Sequence, residues 1–170
     1  MTTSGGDWSL EAGVTMKVRE VGPDDWVVWR LLRHRTLIED RAAFAESVQL
    51  WSGDEDSEES WRARLSGPVR CFVAEHGAAP VGTIAMRPDD DGGGGQQLTS
   101  MWVVPSSRGR GVGRALIGRV VAEAAGRPLW LRVIDGNETA IRLYQRCGFA
   151  LDDADPDAEG CRAMRRLSAA

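Results

Sequence analysis

Apolar positions along this chain fall into two rhythms, one of period two and one of three to four, and their alternation predicts the order of elements. Residues 15–21 alternate Met16 and Val18 with Lys17 and Arg19, as a half-buried strand does. Pro23 and Asp24 then open a helix running to about Ala43, with Trp26, Trp29, Leu32 and Thr36 on one stripe. An acidic loop over residues 53–60 leads into a short helix holding Trp61 and Leu65, and Pro68 ends it. Residues 70–75 and 81–87 are β-rich runs joined by His76-Gly77-Ala78-Ala79-Pro80, which predicts a hairpin. Residues 88–95 (one Pro, three Asp, four Gly) form a loop whose carboxylates would repel phosphate.

A strand over 97–104, a helix carrying Val112, Ala115, Leu116, Val120 and Ala124, and a strand over 129–134 come next. Strand, helix and strand in that order predict a βαβ unit with two parallel strands. Another helix begins at Asn137, followed by a strand over 149–152, a polar loop around 156–160 and a last strand over 161–167. There is no internal repeat. Residues 1–14, rich in Gly, Ser and Thr, are expected to be an unstructured leader, and 15–170 a single α/β domain.

Residues 103–114 read Val-Val-Pro-Ser-Ser-Arg-Gly-Arg-Gly-Val-Gly-Arg. A strand ends at Pro105, and three alternate glycines (Gly109, Gly111, Gly113) open the following helix. Such a turn aims unpaired N–H groups and the positive end of a helix dipole at one small volume. The missing side chains let a large anion approach, and a pyrophosphate is the natural guest. A P-loop is excluded, because Arg114 rather than Lys-Ser/Thr follows the last glycine. The dinucleotide spacing Gly-x-Gly-x-x-Gly is absent too.

Asn137-Glu-Thr-Ala140-Ile141-Arg-Leu143-Tyr144-Gln-Arg-Cys-Gly148-Phe149 carries a second signal. Asn137 is a good N-cap, Glu138 suits a positive first turn, and Gly148 is placed to stop the helix. Seven residues separate Asn137 from Tyr144, so both lie on one face, two turns apart.

The first segment resembles the acetyl-CoA motif of the GNAT acetyltransferase superfamily, Gln/Arg-x-x-Gly-x-Gly/Ala, matched by Arg108, Gly111 and Gly113. The second resembles that family's later motif, Asn-x-x-Ala-x-x-Leu-Tyr-x-x-x-Gly-Phe. The resemblance implies a mixed, twisted sheet of six or seven strands with about four helices, whose two central parallel strands splay to admit the cofactor's pantetheine arm. It implies transfer of acetyl from acetyl-CoA to a primary amine of a small molecule or peptide, with no metal. The backbone of Arg108, Gly109, Arg110, Gly111, Val112, Gly113 and Arg114 would hold the cofactor, with Asn137 as a side-chain contact. A main-chain N–H of Trp102, Val103 or Val104, freed by a bulge, would polarise the carbonyl. Tyr144 would be the general acid, since a phenol is protonated at neutral pH and can donate to a leaving thiolate.

No base is assigned. Many relatives carry a carboxylate where Gln97 stands, and an amide cannot take a proton. Glu39, Glu46, Glu75 and His76 are other titratable groups, each equally readable as a surface residue. Phe44 lies in the half that forms the family's acceptor pocket, and equally reads as core. The missing carboxylate leaves open a module that binds acetyl-CoA without turnover, and the anion nest does not distinguish acetyl from other acyl groups.

Composition and charge narrow the setting. The chain is 42% hydrophobic and 27% charged, ordinary for a globular domain. From Arg108 to Phe149 eight arginines face three acids, leaving a basic half within a chain of net charge −4. That suits an anionic cofactor and a cationic acceptor, and argues against nucleic acid. No apolar run reaches spanning length, so no membrane partner is expected. The three cysteines have no metal-type spacing and read as free thiols of the cytoplasm. A homodimer is expected only by analogy with relatives.

Overall fold

The computed structural model describes residues 8–10, 14–40, 53–89 and 94–166. Its strands are β1 (Trp8–Leu10), β2 (Val14–Val21), β3 (Arg70–His76), β4 (Ala79–Pro88), β5 (Gln96–Val103), β6 (Leu129–Ile134), β7 (Ala150–Leu151) and β8 (Cys161–Arg166). They make one sheet in the order β1-β2-β3-β4-β5-β6-β8-β7. Six long strands form its body, and the short β1 and β7 lie at its edges. The α-helices among the described residues are α1 (Trp26–Glu39), α2 (Glu58–Leu65), α3 (Val112–Glu123) and α4 (Glu138–Arg146). This is the mixed α/β layout the sequence predicts. β1 lies within the stretch predicted as a leader and pairs antiparallel with β2 from Trp8↔Met16 to Leu10↔Val14.

All neighbouring pairs are antiparallel except β5–β6. The chain leaves β5, forms α3 and returns as β6, because a parallel partner needs a crossover of about a dozen residues. α3 packs across β2, β3, β4 and β5. Its Leu116, Ile117 and Val120 are fully buried there, with Phe72, Ile84 and Met86 in the same core. Truncating such a side chain to alanine costs about 2–5 kcal/mol.

α1 buries Trp29, Leu32 and Thr36, three positions of the predicted stripe, while Trp26 is half-buried. It also buries Arg33, whose guanidinium is lowered to about 10 by desolvation. The helix ends at Glu39, not near Ala43: Asp40 takes a non-helical conformation (φ −134°, ψ 42°) and its N–H closes on the Thr36 carbonyl. Residues 41–52, with Ala43, Phe44 and Glu46, lie outside the described residues.

α2 is fastened to α1 through Asp56. That carboxylate accepts from Arg30 Nε (2.7 Å) and Trp61 Nε1 (2.8 Å), and lies 2.9 Å from His34 Nε2. The Arg30 hydrogen bond, then those of Trp61 and His34, outweigh desolvation and hold Asp56 well below the usual carboxylate range.

Candidate active site

The end of β5 has one edge paired and one edge open. Val104 donates its N–H to the Val81 carbonyl at 2.9 Å, and Trp102 lies opposite Thr83 on β4. Ladder groups alternate in direction, so the N–H and C=O of Val103 turn the other way, toward β6. Yet β5 and β6 pair only over Gln96–Leu98 with Leu129–Leu131. Beyond Leu98 the two strands part. The Val103 N–H has no hydrogen-bond partner among the described residues, and the Val103 carbonyl accepts from Arg108 Nε at 2.9 Å.

The irregularity that accompanies this separation sits slightly earlier than predicted. Between the pairs Thr83↔Trp102 and Ala85↔Thr99, β5 has two residues, Ser100 and Met101, against Ile84 alone. Ser100 adopts φ 53°, as the extra residue of a bulge often must. The bulge is thus at Ser100–Met101, and of the three residues 102–104 only Val103 presents its main chain to the gap.

After β5 the chain makes a short turn over Pro105–Ser107 and then the glycine segment. Gly111, at φ 83°, is the N-cap of α3, a conformation that strains any residue bearing a Cβ. The first helical bond runs from Ala115 N–H to Gly111 carbonyl at 3.0 Å. Main-chain N–H groups from Gly109 to Arg114 therefore lack backbone partners among the described residues, as an anion-binding helix start requires. A cavity of about 640 Å³ opens against this turn, lined by His76, Gly109, Arg110, Gly111 and Val112 among others. Arg110, which lines it, and Arg114, on the first turn of α3, are exposed and carry no ion pair among the described residues.

Gly113 has a packing role besides its main-chain N–H. A Cβ there would stand 2.9 Å from Leu143 Cδ2 and 3.1 Å from Met101 Cε. It is a contact glycine that lets α4 and the end of β5 approach the first turn of α3.

α4 has locally closed ends. Asn137 Oδ1 accepts the Ala140 N–H at 3.2 Å, the predicted cap. At the other end Gly148 N–H meets the Gln145 carbonyl (3.0 Å) and Phe149 N–H meets the Tyr144 carbonyl (3.1 Å), a Schellman closure. The Tyr144 and Phe149 rings pack edge to face at 6.0 Å. Tyr144 is 8% exposed, and its hydroxyl has no hydrogen-bond partner among the described residues. Burial pushes the phenol well above its ordinary value, with Cys147 a smaller contributor. It stays protonated throughout the neutral range.

Two of the base candidates are held in ion pairs. Glu75 pairs with Arg19 at 2.8 Å, and Glu39 with Arg35 at 2.9 Å. Gln97 is buried and accepts from Arg87 Nε at 2.6 Å. His76 is exposed at the cavity. A carboxylate that the sequence does not single out stands nearer the open edge. Asp40 Oδ2 accepts from Trp102 Nε1 at 2.5 Å and from Arg108 Nη2. No local signal marks it, because both partners are more than sixty residues away.

Comparisons with known proteins give the family and the fold. A family model described as acetyltransferase (GNAT) family matches residues 35–149. An IAA acetyltransferase of Azospirillum brasilense is 34% identical over 85 residues, 48% of this chain and 55% of that protein. An uncharacterized protein of Mycobacterium leprae is 32% identical over 121 residues, 65% of this chain. The chain spans 31% and 55% of the lengths of these two curated relatives. Among solved structures, the PaiA N-acetyltransferase of Thermoplasma acidophilum in complex with coenzyme A superposes with TM-score 0.68 at 14% identity, covering 89% of this chain and 98% of that one.

Proposed function

Because this chain belongs to the GNAT acetyltransferase family, we propose that it is an N-acetyltransferase carrying acetyl from acetyl-CoA to a primary amine of a small molecule or peptide. The observation that carries this reading is a pair of unsatisfied donor groups among the described residues, the Val103 N–H at the open edge and, across the short turn that follows, the N–H groups from Gly109 to Arg114. Those donors match an acyl carrier that has amides in its arm and a diphosphate behind it. The Val103 edge can take an extended arm as an added strand. N–H groups from Gly109 to Arg114 suit the diphosphate, with Arg110 and Arg114 supplying charge.

The reaction places one demand on each end of the breaking bond. The amine nitrogen attacks the thioester carbonyl carbon, and a main-chain N–H stabilises the oxygen as charge builds there. The C–S bond then breaks, and the thiolate takes the phenolic proton of Tyr144. Solvent restores that proton. The amine attacks in its neutral form, and its nitrogen gives one proton to water once the bond to carbon has formed, so no carboxylate at Gln97 is called for. A phenol without another hydrogen-bond partner supports this role over a purely packing one.

Free CoA release, followed by thiol titration over a panel of polyamines, aminoglycosides, amino acids and peptides, tests the proposal. Release with any acceptor that is lost in Tyr144→Phe, while CoA affinity persists, supports the enzyme. The amide at Gln97 favours a second reading, an acetyl-CoA-binding module without turnover. Tight binding with no release across the panel would select it.

A further inference from the structure

The open edge of β5 is occupied by the protein itself. Val103 presents a donor and an acceptor to the gap, and Arg108 fills the acceptor: its Nε lies 2.9 Å from the Val103 carbonyl. The far end of the same guanidinium reaches Asp40. Asp40 in turn holds the Trp102 indole N–H at 2.5 Å. Arg108 thus folds back from the glycine turn onto the strand, pinned by the carboxylate of Asp40, the residue that caps the C-terminus of α1.

We propose that Asp40 is a positioning residue that keeps Arg108 on the Val103 carbonyl until a cofactor binds, and that the cofactor's amide-bearing arm enters by displacing it. This rests on the acetyl-CoA reading above. An arm amide N–H would replace Arg108 Nε on the carbonyl, so the strand edge is satisfied in both states. The released guanidinium, three residues from Gly111, would exchange a carboxylate for a diphosphate oxygen. The carboxylate of Asp40 therefore opposes binding, although it sits outside the anion nest. Its 30% side-chain exposure leaves the pair accessible to solvent and readily exchanged.

Calorimetry with CoA, and NMR titration with pantetheine, would compare the wild type, Asp40→Asn and Asp40→Glu. Pantetheine has the arm's amides but neither diphosphate nor nucleotide charge. Asp40→Asn should bind both ligands about two- to fivefold more tightly, the range expected from loosening a partly exposed pair. Asp40→Glu should stay near wild type. A gain with CoA but none with pantetheine would reduce Asp40 to a repelling charge and overturn the proposal, as would unchanged or weaker binding of both. Should Asp40→Asn fail to fold, the Arg108 Nε–H resonance of the wild type decides. It should shift as pantetheine is added, and a signal unmoved at saturation refutes displacement. If the wild type binds neither ligand, the cofactor reading itself fails and this one with it. Binding to the wild type without the Asp40→Asn gain removes only the displacement.

Discussion

Replacing Gly113 by alanine sets two effects of opposite sign against each other. Alanine is favoured over glycine inside a helix by about 1 kcal/mol, and less at the second helical position, where Gly113 stands. Against this, the new Cβ would lie 2.9 Å from Leu143 Cδ2 and 3.1 Å from Met101 Cε. Both are ends of flexible side chains, so they can move, but only into a core whose neighbours are already packed. Overpacking of this kind costs about 1–3 kcal/mol. Gly118, in the same helix, provides the reference, because a Cβ there meets no atom within 4 Å. Gly118→Ala should therefore stabilise by up to about 1 kcal/mol. Gly113→Ala should be the less stable of the two by about 1–3 kcal/mol. Urea unfolding of both variants, with equal m-values, reads the difference directly. Leu143 adjoins Tyr144, so Gly113→Ala should also lower kcat while CoA affinity falls less. Equal stabilisation by the two alanines would refute the contact role of Gly113 and leave it only its main-chain N–H in the anion nest.

Gly111→Glu should abolish CoA binding, since it charges the nest and strains a backbone at φ 83°; unchanged affinity by calorimetry would remove the turn from the site. Asn137→Ala should lose about 1 kcal/mol of stability with its cap, whereas Asn137→Asp keeps the acceptor and the stability. Both should weaken CoA binding if the amide donates to the cofactor. Burial pushes the Cys71 thiol up to about 12. The native state then holds a proton that the unfolded chain releases near its ordinary value. The corresponding stability is complete below that value and declines as pH rises toward 12. Thermal melts across that alkaline range should show this slope, and Cys71→Ala should flatten it.

Where local chemistry sets a feature, the sequence was a good guide. The cap at Asn137 and the stop at Gly148 each rest on bonds within five residues, and both form as their residue types predict. The helix start after the glycines follows from the same short-range logic. Features made by distant partners were not legible. Asp40 ends α1 earlier than the apolar stripe suggests, and its side chain answers to Trp102 and Arg108, far along the chain. Gly113 reads as one of three equivalent glycines until Leu143 is placed against it. Buried Arg33 breaks the rule that charged residues on a stripe face solvent. The bulge at Ser100–Met101 carries no glycine or proline to announce it.

That one spare residue resets the phase of β5. Under strict alternation Trp102 would share a face with Leu98, beneath α3, and Met101 would join Gln97 and Thr99. With Ser100 set aside, the indole instead comes under α1, where the Arg35 guanidinium lies 5.7 Å from its ring, and the methionine meets Gly113. Deleting Ser100 would therefore straighten the strand and leave every side chain from Met101 onward in its present company, whereas drawing Ser100 into the ladder would exchange that company. Alignments of this strand that ignore the surplus position will assign the wrong neighbours to Met101, Trp102 and Val103.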